Sequence, residues 1–333
     1  MAGYLTKPIA FLNVAEGNIA QRLALLVAIA LAGTMAGSKA LGLAADHLNY
    51  FYLYYSAAAT PWAWILLDTD PLYHGLSKFI SSFGLTFDGF TLILALLTCA
   101  FKFSALSQVP KANRIVLFSL YFSYLFWVHE YIQIRIAFSM ALGLFALYGT
   151  DKFKYPLFMC AVLIHNTFLL VVGLYFLFSL GLRRPIAAAV IGGTFLAIAA
   201  TQGLINDLLS RAQQYQDLLI QGQFTAINIT SLMPIIMALS TCAAIYHIKM
   251  IPKNERQELY FTIVSFSSFY VLSATPVFAF RTMELLMPFY LILIARMWHI
   301  GIIFKLSAAL YVLVGLRLVF FADDPLIGNR MLT

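Results

Sequence analysis

Cationic side chains interrupt several apolar stretches of this chain. Arg135 and Arg281 each stand near the start of an apolar stretch, and His165 lies in the middle of another. A planar guanidinium can bind two oxygens of a phosphate at once, and an imidazole can add a further hydrogen bond. Together these three side chains predict a compact cationic pocket for a phosphorylated ligand, provided that the fold brings them together.

Three groups are candidates for moving a proton at such a site. Asp46, Glu130 and His165 could each accept the proton of a hydroxyl group within hydrogen-bond distance. His165 could instead donate a hydrogen bond to the phosphate. Asp46 could instead bind sugar hydroxyls, or it could be a solvated loop carboxylate. Glu130 has the alternative of ending a helix and extending towards lipid headgroups. The residues alone leave these alternatives open.

Two tyrosines share a helical face with Asp46. Tyr50 and Tyr54 follow it at intervals of four residues, which places all three on one side of a helix. Aromatic rings beside a carboxylate suit a sugar, so we predict a glycan-binding face here. The alternative is that both rings anchor the chain at the membrane interface.

The composition decides which elements must position these groups. Of the 333 residues 62% are hydrophobic and 11% are charged, against roughly a quarter charged in a soluble domain. Apolar stretches recur from end to end, so we predict an all-α polytopic integral membrane protein. The net charge of +7 is spread over short loops, a pattern typical of loops facing anionic lipid and not of nucleic-acid binding. We find no HExxH motif and no Cys/His cluster, and we expect no metal ion and no cofactor.

The hydrophobic pattern predicts about 9–11 transmembrane helices. The clear spans are residues 20–40, 88–107, 113–131, 133–149, 185–202, 228–248, 259–279, 282–298 and 302–321.

Residues 155–181 are too long for one untilted helix and too short for two full spans, and His165-Asn166-Thr167 interrupts them. With the N-terminus inside, a hairpin here keeps Lys102 and the other loop lysines and arginines inside, as the positive-inside rule requires. We therefore predict a broken re-entrant hairpin over 155–181, with His165 at its outward-facing tip.

Two longer segments, residues 42–87 and 203–227, are predicted to be external parts of one transmembrane domain, 1–333. Residues 48–67 are apolar enough for an extra span, but Pro61 interrupts them and their aromatic residues suit a helix lying at the interface. Residues 203–227 are more polar and have leucines at helical spacing, which indicates an amphipathic external helix.

Five short motifs occur in an order that resembles the EpsG-type branch of the Wzy polysaccharide polymerases. They cover roughly residues 40–295, and their ordered occurrence is more specific than any one of them. The motifs are DHLNYFYLY (46–54), DPLY (70–73), IR (134–135), AVLIHNTF (161–168) and RTMELLMPFY (281–290).

The resemblance implies a glycosyltransferase. Such polymerases transfer a glycan from a polyprenyl diphosphate to the terminal sugar of another lipid-linked repeat unit, outside the bacterial cytoplasmic membrane, to build O-antigen, capsule or exopolysaccharide. Arg135 and Arg281 would bind the diphosphate where other enzymes use a metal ion, and Tyr290 would contact the glycan. The implied partners are the polyprenyl-diphosphate-linked glycan, membrane lipid, a chain-length regulator and a flippase, with no nucleic acid.

Three other functions would also place cations in a membrane cavity. A transporter or flippase of a lipid-linked glycan should have duplicated halves with paired broken segments, and only the segment near His165 is broken in this pattern. A sugar O-acyltransferase would take its acyl donor from the cytoplasmic side, whereas the polar residues here cluster outside. A glycan transferase of the O-antigen ligase type is the nearest alternative.

Overall fold

The computed structural model describes most of the chain as helices joined by short turns. The described residues are 19–42, 44, 46–110, 112–150, 152–181, 213, 230–252, 255–273 and 276–322. The chain is an all-α polytopic membrane protein, as predicted. It divides into two compact units, Met1–Leu169 with Gly315–Thr333 and Leu170–Val314. The single domain predicted for residues 1–333 stays a prediction, and the two units are described separately.

The first unit contains the segments that carry four of the five motifs. Its helices are α1 (Ile19–Gly37), α2 (His47–Ala59), α3 (Trp62–Ile65), α4 (Pro71–Ser82), α5 (Phe87–Ser107), α6 (Arg114–Leu120), α7 (Ile134–Leu144) and α8 (Lys154–Ile164). Wider π-helical turns extend α6 over Tyr121–Leu125 and Trp127–Ile132, extend α7 over Phe145–Gly149, and form Arg317–Phe321. Such turns are rare in proteins, and those that do occur often lie at functional sites.

Close packing of α1 on α5 depends on two glycines spaced four residues apart. A β-carbon at Gly33 or Gly37 would lie 3.0 or 2.6 Å from the α-carbons of Leu96 and Leu92. Small residues at this spacing let two membrane helices approach closely. The hydroxyl of Thr91 completes the contact by donating a hydrogen bond to the carbonyl of Gly37 at 3.1 Å.

The second unit contains the end of the broken segment and the C-terminal helices. Its described helices are α9 (Phe168–Gly181, from Leu170 onward), α10 (Leu232–Tyr246), α11 (Gln257–Val271), α12 (Pro276–Met297) and α13 (Ile302–Leu316, up to Val314). The rings of Phe261 and Phe289 stack with centroids 4.0 Å apart, which joins α11 to α12.

Among the described residues, four helices are long and apolar enough to cross a membrane: Ile19–Gly37, Phe87–Ser107, Phe278–Met297 and Ile302–Phe321. Shorter apolar helices lie at Arg114–Leu125, Ile134–Gly149, Lys154–Ile164, Phe168–Ser179 and Leu232–Tyr246. These positions overlap the predicted spans and the predicted hairpin over 155–181. The predicted span 259–279 differs, because α11 ends at Val271 and α12 begins at Pro276. The predicted span 185–202 and the predicted amphipathic segment 203–227, apart from residue 213, lie outside the described residues.

The interruptions predicted from sequence are present in the structure. Helix α8 ends at Ile164 and α9 begins at Phe168, so the break at His165-Asn166-Thr167 is confirmed. Helix α2 ends at Ala59 before Pro61, and residues 48–67 do not form one continuous helix. The outward orientation of the 155–181 segment and the interfacial position of 48–67 stay predictions.

Candidate functional site

The carboxylate of Asp70 joins three segments that are far apart in sequence. Nη1 of Arg135 donates a hydrogen bond to Oδ2 of Asp70 at 2.7 Å. Nδ1 of His165 lies 3.2 Å from the same oxygen. The backbone N–H of Asn166 donates to Oδ1 at 3.0 Å. Two of the three cations predicted to share a site, Arg135 and His165, therefore meet on one carboxylate.

Each of the three groups stands at the end of a helix. Asp70 precedes Pro71, the first residue of α4, where the fixed φ of proline favours helix initiation. Arg135 is the second residue of α7. His165 follows the last residue of α8. At these positions the backbone changes direction, so side chains from three helices converge outside the regular helical packing.

Packing between α7 and α8 fixes the distance from Arg135 to His165. The hydroxyl of Ser139 donates to the carbonyl of Ala161 at 2.7 Å, in a buried contact. A β-carbon added to Gly143 would lie only 1.9 Å from Cζ of the Phe168 ring. Any larger residue at 143 would push away the segment that carries His165.

The environment of Asp70 keeps its carboxyl ionised. Burial by itself raises the pKa of Asp70, but the hydrogen bond and charge of His165, the N–H of Asn166 and the charge of Arg135 outweigh it, so the pKa lies below its ordinary value. An ionised carboxylate only accepts hydrogen bonds. Nδ1 of His165 must then carry the proton that faces Asp70, and Nε2 is left for another partner.

Two buried tyrosine rings lie beside the guanidinium of Arg135. Its central carbon lies 5.4 Å from the ring centre of Tyr50 and 5.5 Å from that of Tyr73, within the range of cation–π attraction. Its Nε has no hydrogen-bond partner among the described residues, and its side chain is 19% exposed. Both rings thus hold the arginine in place, while part of its donor set is unused.

The structure places Tyr50 and Tyr54 in the core, where we had predicted a glycan-binding face. They are 4% and 0% exposed, and the hydroxyl of Tyr54 donates to the carbonyl of Leu85 at 2.6 Å. Neither ring presents a free face on which a sugar could stack. In the structure both rings pack α2 against its neighbours, and Tyr50 also contacts Arg135.

Glu130 does not pair with Arg135 or His165. Its carboxylate accepts a hydrogen bond from Nζ of Lys102, and neither side chain is exposed. The grouping of Lys102 with the basic loop residues is wrong, because Lys102 lies within α5 and is fully buried.

Asp46 precedes α2 and is partly exposed. Its charge acts on Lys39. Burial lowers the pKa of Lys39 to about 8, and the negative charge of Asp46 partly opposes that shift. The contacts of Asp70 described above do not include Asp46. Its assignment as a proton acceptor or sugar ligand stays a prediction.

Arg281 and Tyr290 belong to the second unit, on α12. Tyr290 is fully buried, and its hydroxyl accepts a hydrogen bond from Ser240 at 3.2 Å. In the structure this ring therefore packs inside its own unit. The predicted pocket of Arg135, His165 and Arg281 includes residues of both units and stays a prediction.

Asp70 is the site residue that reasoning from sequence missed. It was visible as the acid of the DPLY motif, directly before a proline that starts a helix. It is also the last residue of Asp68-Thr69-Asp70, whose two carboxylates have a spacing that can bind Mg²⁺ together with a phosphate. The expectation of no metal motif did not take this tripeptide into account. In the structure the two carboxylates have different partners: Asp70 binds Arg135 and His165, and Asp68 accepts from Thr69.

Comparison with known protein families gives a match over most of the chain. The sequence model of the EpsG family matches residues 22–323 of the 333. No curated protein and no solved structure matches the chain.

Proposed function

This chain belongs to the EpsG family, and we propose that it is a membrane glycosyltransferase that polymerises polyprenyl-diphosphate-linked oligosaccharide repeat units. The family membership supports a polysaccharide polymerase of this type. The observation that carries the proposal is the contact of one carboxylate, Asp70, with both Arg135 and His165. An anion-binding fork and a potential base are thereby held within reach of one reacting centre.

Arg135 is the proposed ligand of the diphosphate. One of its N–H groups binds Asp70, and its Nε has no partner among the described residues. The rings of Tyr50 and Tyr73 both lie within cation–π distance of the guanidinium and restrict its position, so its remaining donors need little reorganisation to bind a phosphate oxygen. Arg281 is proposed as a second diphosphate ligand from its motif alone.

His165 is the proposed general base. Asp70 orients the imidazole through Nδ1, so that the lone pair of the neutral ring is on Nε2, and the side chain is 15% exposed. A base that is held in one tautomer by a carboxylate is a recurrent catalytic arrangement. Glu130 is a weaker candidate because its carboxylate is engaged with Lys102.

In the proposed reaction a hydroxyl oxygen of the acceptor sugar attacks the anomeric carbon of the donor glycan. The bond from that carbon to the diphosphate oxygen breaks as the new glycosidic bond forms. Nε2 of His165 takes the hydroxyl proton, and the polyprenyl diphosphate leaves with its negative charge stabilised by Arg135. The reaction needs no redox partner and no cofactor.

The proposed setting is the outer face of the bacterial cytoplasmic membrane, where a polyprenyl-linked repeat unit is displayed. A flippase would supply that substrate, and a chain-length regulator would act on the product. The reaction is proposed to be metal-independent. We expect EDTA to leave polymer formation unchanged, and inhibition that added Mg²⁺ reverses would contradict this part of the proposal.

The proposal is tested with purified protein in nanodiscs and a synthetic polyprenyl-diphosphate repeat unit, with products read by mass spectrometry. We expect wild type to give a ladder of lengthened glycans and His165→Ala to give none. The exposed His299 offers a matched control, and His299→Ala should keep the ladder. Movement of the lipid-linked glycan across a bilayer without lengthening would instead support a flippase and contradict the proposal.

A further inference from the structure

A polar cavity of about 240 Å³ opens beside Arg135 in the first unit. One wall is a face of α2, and the opposite wall is formed by the residues that lead into α4, together with its first turn. The lining residues that matter here are Asn49, Leu53, Ser56, Asp68, His74 and Arg135. The volume corresponds to about eight water molecules at liquid density, which is on the scale of one monosaccharide.

The α2 wall is a continuous helical face. Asn49, Leu53 and Ser56 follow one another at intervals of four and three residues, the spacing of neighbours on a helix surface. The adjacent face of the same helix carries the buried Tyr50 and Tyr54. The tyrosines therefore hold α2 in place, while its amide and hydroxyl groups line the cavity.

Asp68 has unused hydrogen-bonding capacity on the opposite wall. Its Oδ1 accepts from the backbone N–H and the hydroxyl of Thr69 at 2.6 and 3.2 Å. Its Oδ2 lies 3.7 Å from Nε2 of His74, which is longer than a hydrogen bond. The side chain is 44% exposed, so a hydroxyl group in the cavity can donate to it.

The charges around the cavity favour an uncharged ligand. The charge of Arg135 is already balanced by Asp70 at 2.7 Å. Burial lowers the pKa of His74 below its ordinary value, although the charge of Asp68 opposes the shift. His74 is then neutral at neutral pH, and the carboxylate of Asp68 has no full counter-charge. An anionic sugar substituent placed against Asp68, such as the carboxylate of a uronic acid, would be repelled.

We propose that this cavity is a subsite for one uncharged sugar ring of the glycan substrate. Asp68 accepts hydrogen bonds from hydroxyl groups of the ring. The amide of Asn49 can both donate to them and accept from them, and Leu53 contacts an apolar face of the ring. The inference rests on the proposed function for the identity of the glycan. The ring can belong to the donor, next to its diphosphate on Arg135, or to the acceptor that carries the attacking hydroxyl.

The subsite is tested first by binding, without any polymerisation. Saturation-transfer NMR is recorded on the full chain in nanodiscs, with EDTA present, using methyl glucoside, methyl N-acetylglucosaminide and methyl glucuronide as probes. We expect saturation of at least one neutral glycoside and none of the glucuronide. Asp68→Asn keeps an acceptor for Thr69 but removes the charge, and Asn49→Ala removes the amide. We expect Asp68→Asn to weaken binding of the neutral glycoside about 10- to 100-fold, the effect of a lost hydrogen bond to a charged group, and Asn49→Ala to weaken it about 2- to 10-fold, the effect of a lost neutral one.

Asp88 provides the matched control, since it is an exposed acid outside the cavity lining. Asp88→Asn should bind like wild type. Equal binding by wild type, Asp68→Asn and Asn49→Ala, or no binding of any neutral glycoside, overturns the subsite.

A kinetic arm in the polymerase assay separates the two sources of the ring. A raised KM of Asp68→Asn for the lipid donor assigns the ring to the donor, and a raised KM for an added acceptor oligosaccharide assigns it to the acceptor. Wild-type polymerisation with an unaltered KM for both in Asp68→Asn overturns the subsite and leaves the proposed function standing. Glycoside binding by a chain that makes no polymer retains the subsite and contradicts the proposed function.

Discussion

Oδ2 of Asp70 lies 2.7 Å from Nη1 of Arg135, a residue 65 positions later in the chain. The same oxygen faces His165, 95 positions from Asp70. The arginine charge is thus compensated before any substrate binds, and an incoming diphosphate must use the donors that Asp70 leaves unused. Asp70 is therefore a positioning residue for both Arg135 and His165, and this role gives it a kinetic signature.

Asp70→Asn should lower kcat without raising the KM for the lipid substrate. Asparagine keeps the shape of the side chain but can present an N–H to His165, which would favour the wrong tautomer of the imidazole. We expect kcat to fall by roughly 10²- to 10⁴-fold, the scale of a lost general base. The KM for the lipid substrate should stay equal or fall, because one negative charge near Arg135 is gone. A KM that rises with an unchanged kcat would contradict this role.

The stability that Asp70 contributes should depend on pH only in acid. Its folded-state pKa lies below the ordinary value of 3.8, so the carboxylate contributes its full stabilisation above that value and loses it as the pH falls through the lower folded pKa. Thermal unfolding in detergent, from pH 7 to pH 3, would compare wild type with Asp70→Asn. We expect a constant difference in Tm down to about pH 5, with convergence only in the most acid samples. Convergence already between pH 7 and pH 5 would contradict the low pKa.

The buried pair of Lys102 and Glu130 should be structural rather than catalytic. Removing one partner leaves an uncompensated charge without solvent, which costs about 3–5 kcal/mol. We expect Lys102→Met or Glu130→Gln to lower Tm and the amount of protein in the membrane. The double variant Lys102→Met/Glu130→Leu should regain both and retain polymer formation. A stable double variant that makes no polymer would instead assign Glu130 to the reaction.

Close approach of α1 to α5 should make Gly37 intolerant of any side chain. The β-carbon in Gly37→Ala would lie 2.6 Å from a backbone carbon of Leu92, so the helices must separate, at a cost of about 1–3 kcal/mol. At Gly173 no described residue outside its own helix backbone lies within 4 Å of the corresponding position, and Gly173→Ala should keep or raise the Tm because alanine favours a helix. Equal Tm values for the two variants would contradict this packing.

Most of the fold could be read from sequence because hydrophobic length and helix-breaking residues act locally. The span over α5 and the break at His165 are examples, and each depends on a short run of residues. The partners of the buried charges could not be read in this way. Glu130 and Arg135 are five positions apart, yet one pairs with Lys102 and the other with Asp70. Pairing of this kind depends on which helices become neighbours in space.

Burial was the second property that sequence did not reveal. Tyr50 and Tyr54 follow Asp46 at helical spacing, and a spacing identifies a face without saying what covers it. The structure covers that face with Phe87, Phe90 and Tyr73. The neighbouring face, with Asn49 and Ser56, lines the open cavity. The helix was therefore predicted correctly, but the side available to a ligand was not.

The most direct measurement of the central claim is polymer formation by variants of Arg135 in nanodiscs with a synthetic polyprenyl-diphosphate repeat unit. Arg135→Ala should abolish lengthening, and Arg135→Lys should restore little, because a point charge lacks the planar fork that binds Asp70 and a phosphate together. Arg317 is an exposed arginine, and Arg317→Ala is the control that should retain the full ladder. Loss of the ladder in both Arg135 variants, with equal amounts of folded protein, is the predicted result. A full ladder from Arg135→Ala would remove this arginine from the mechanism and contradict the account.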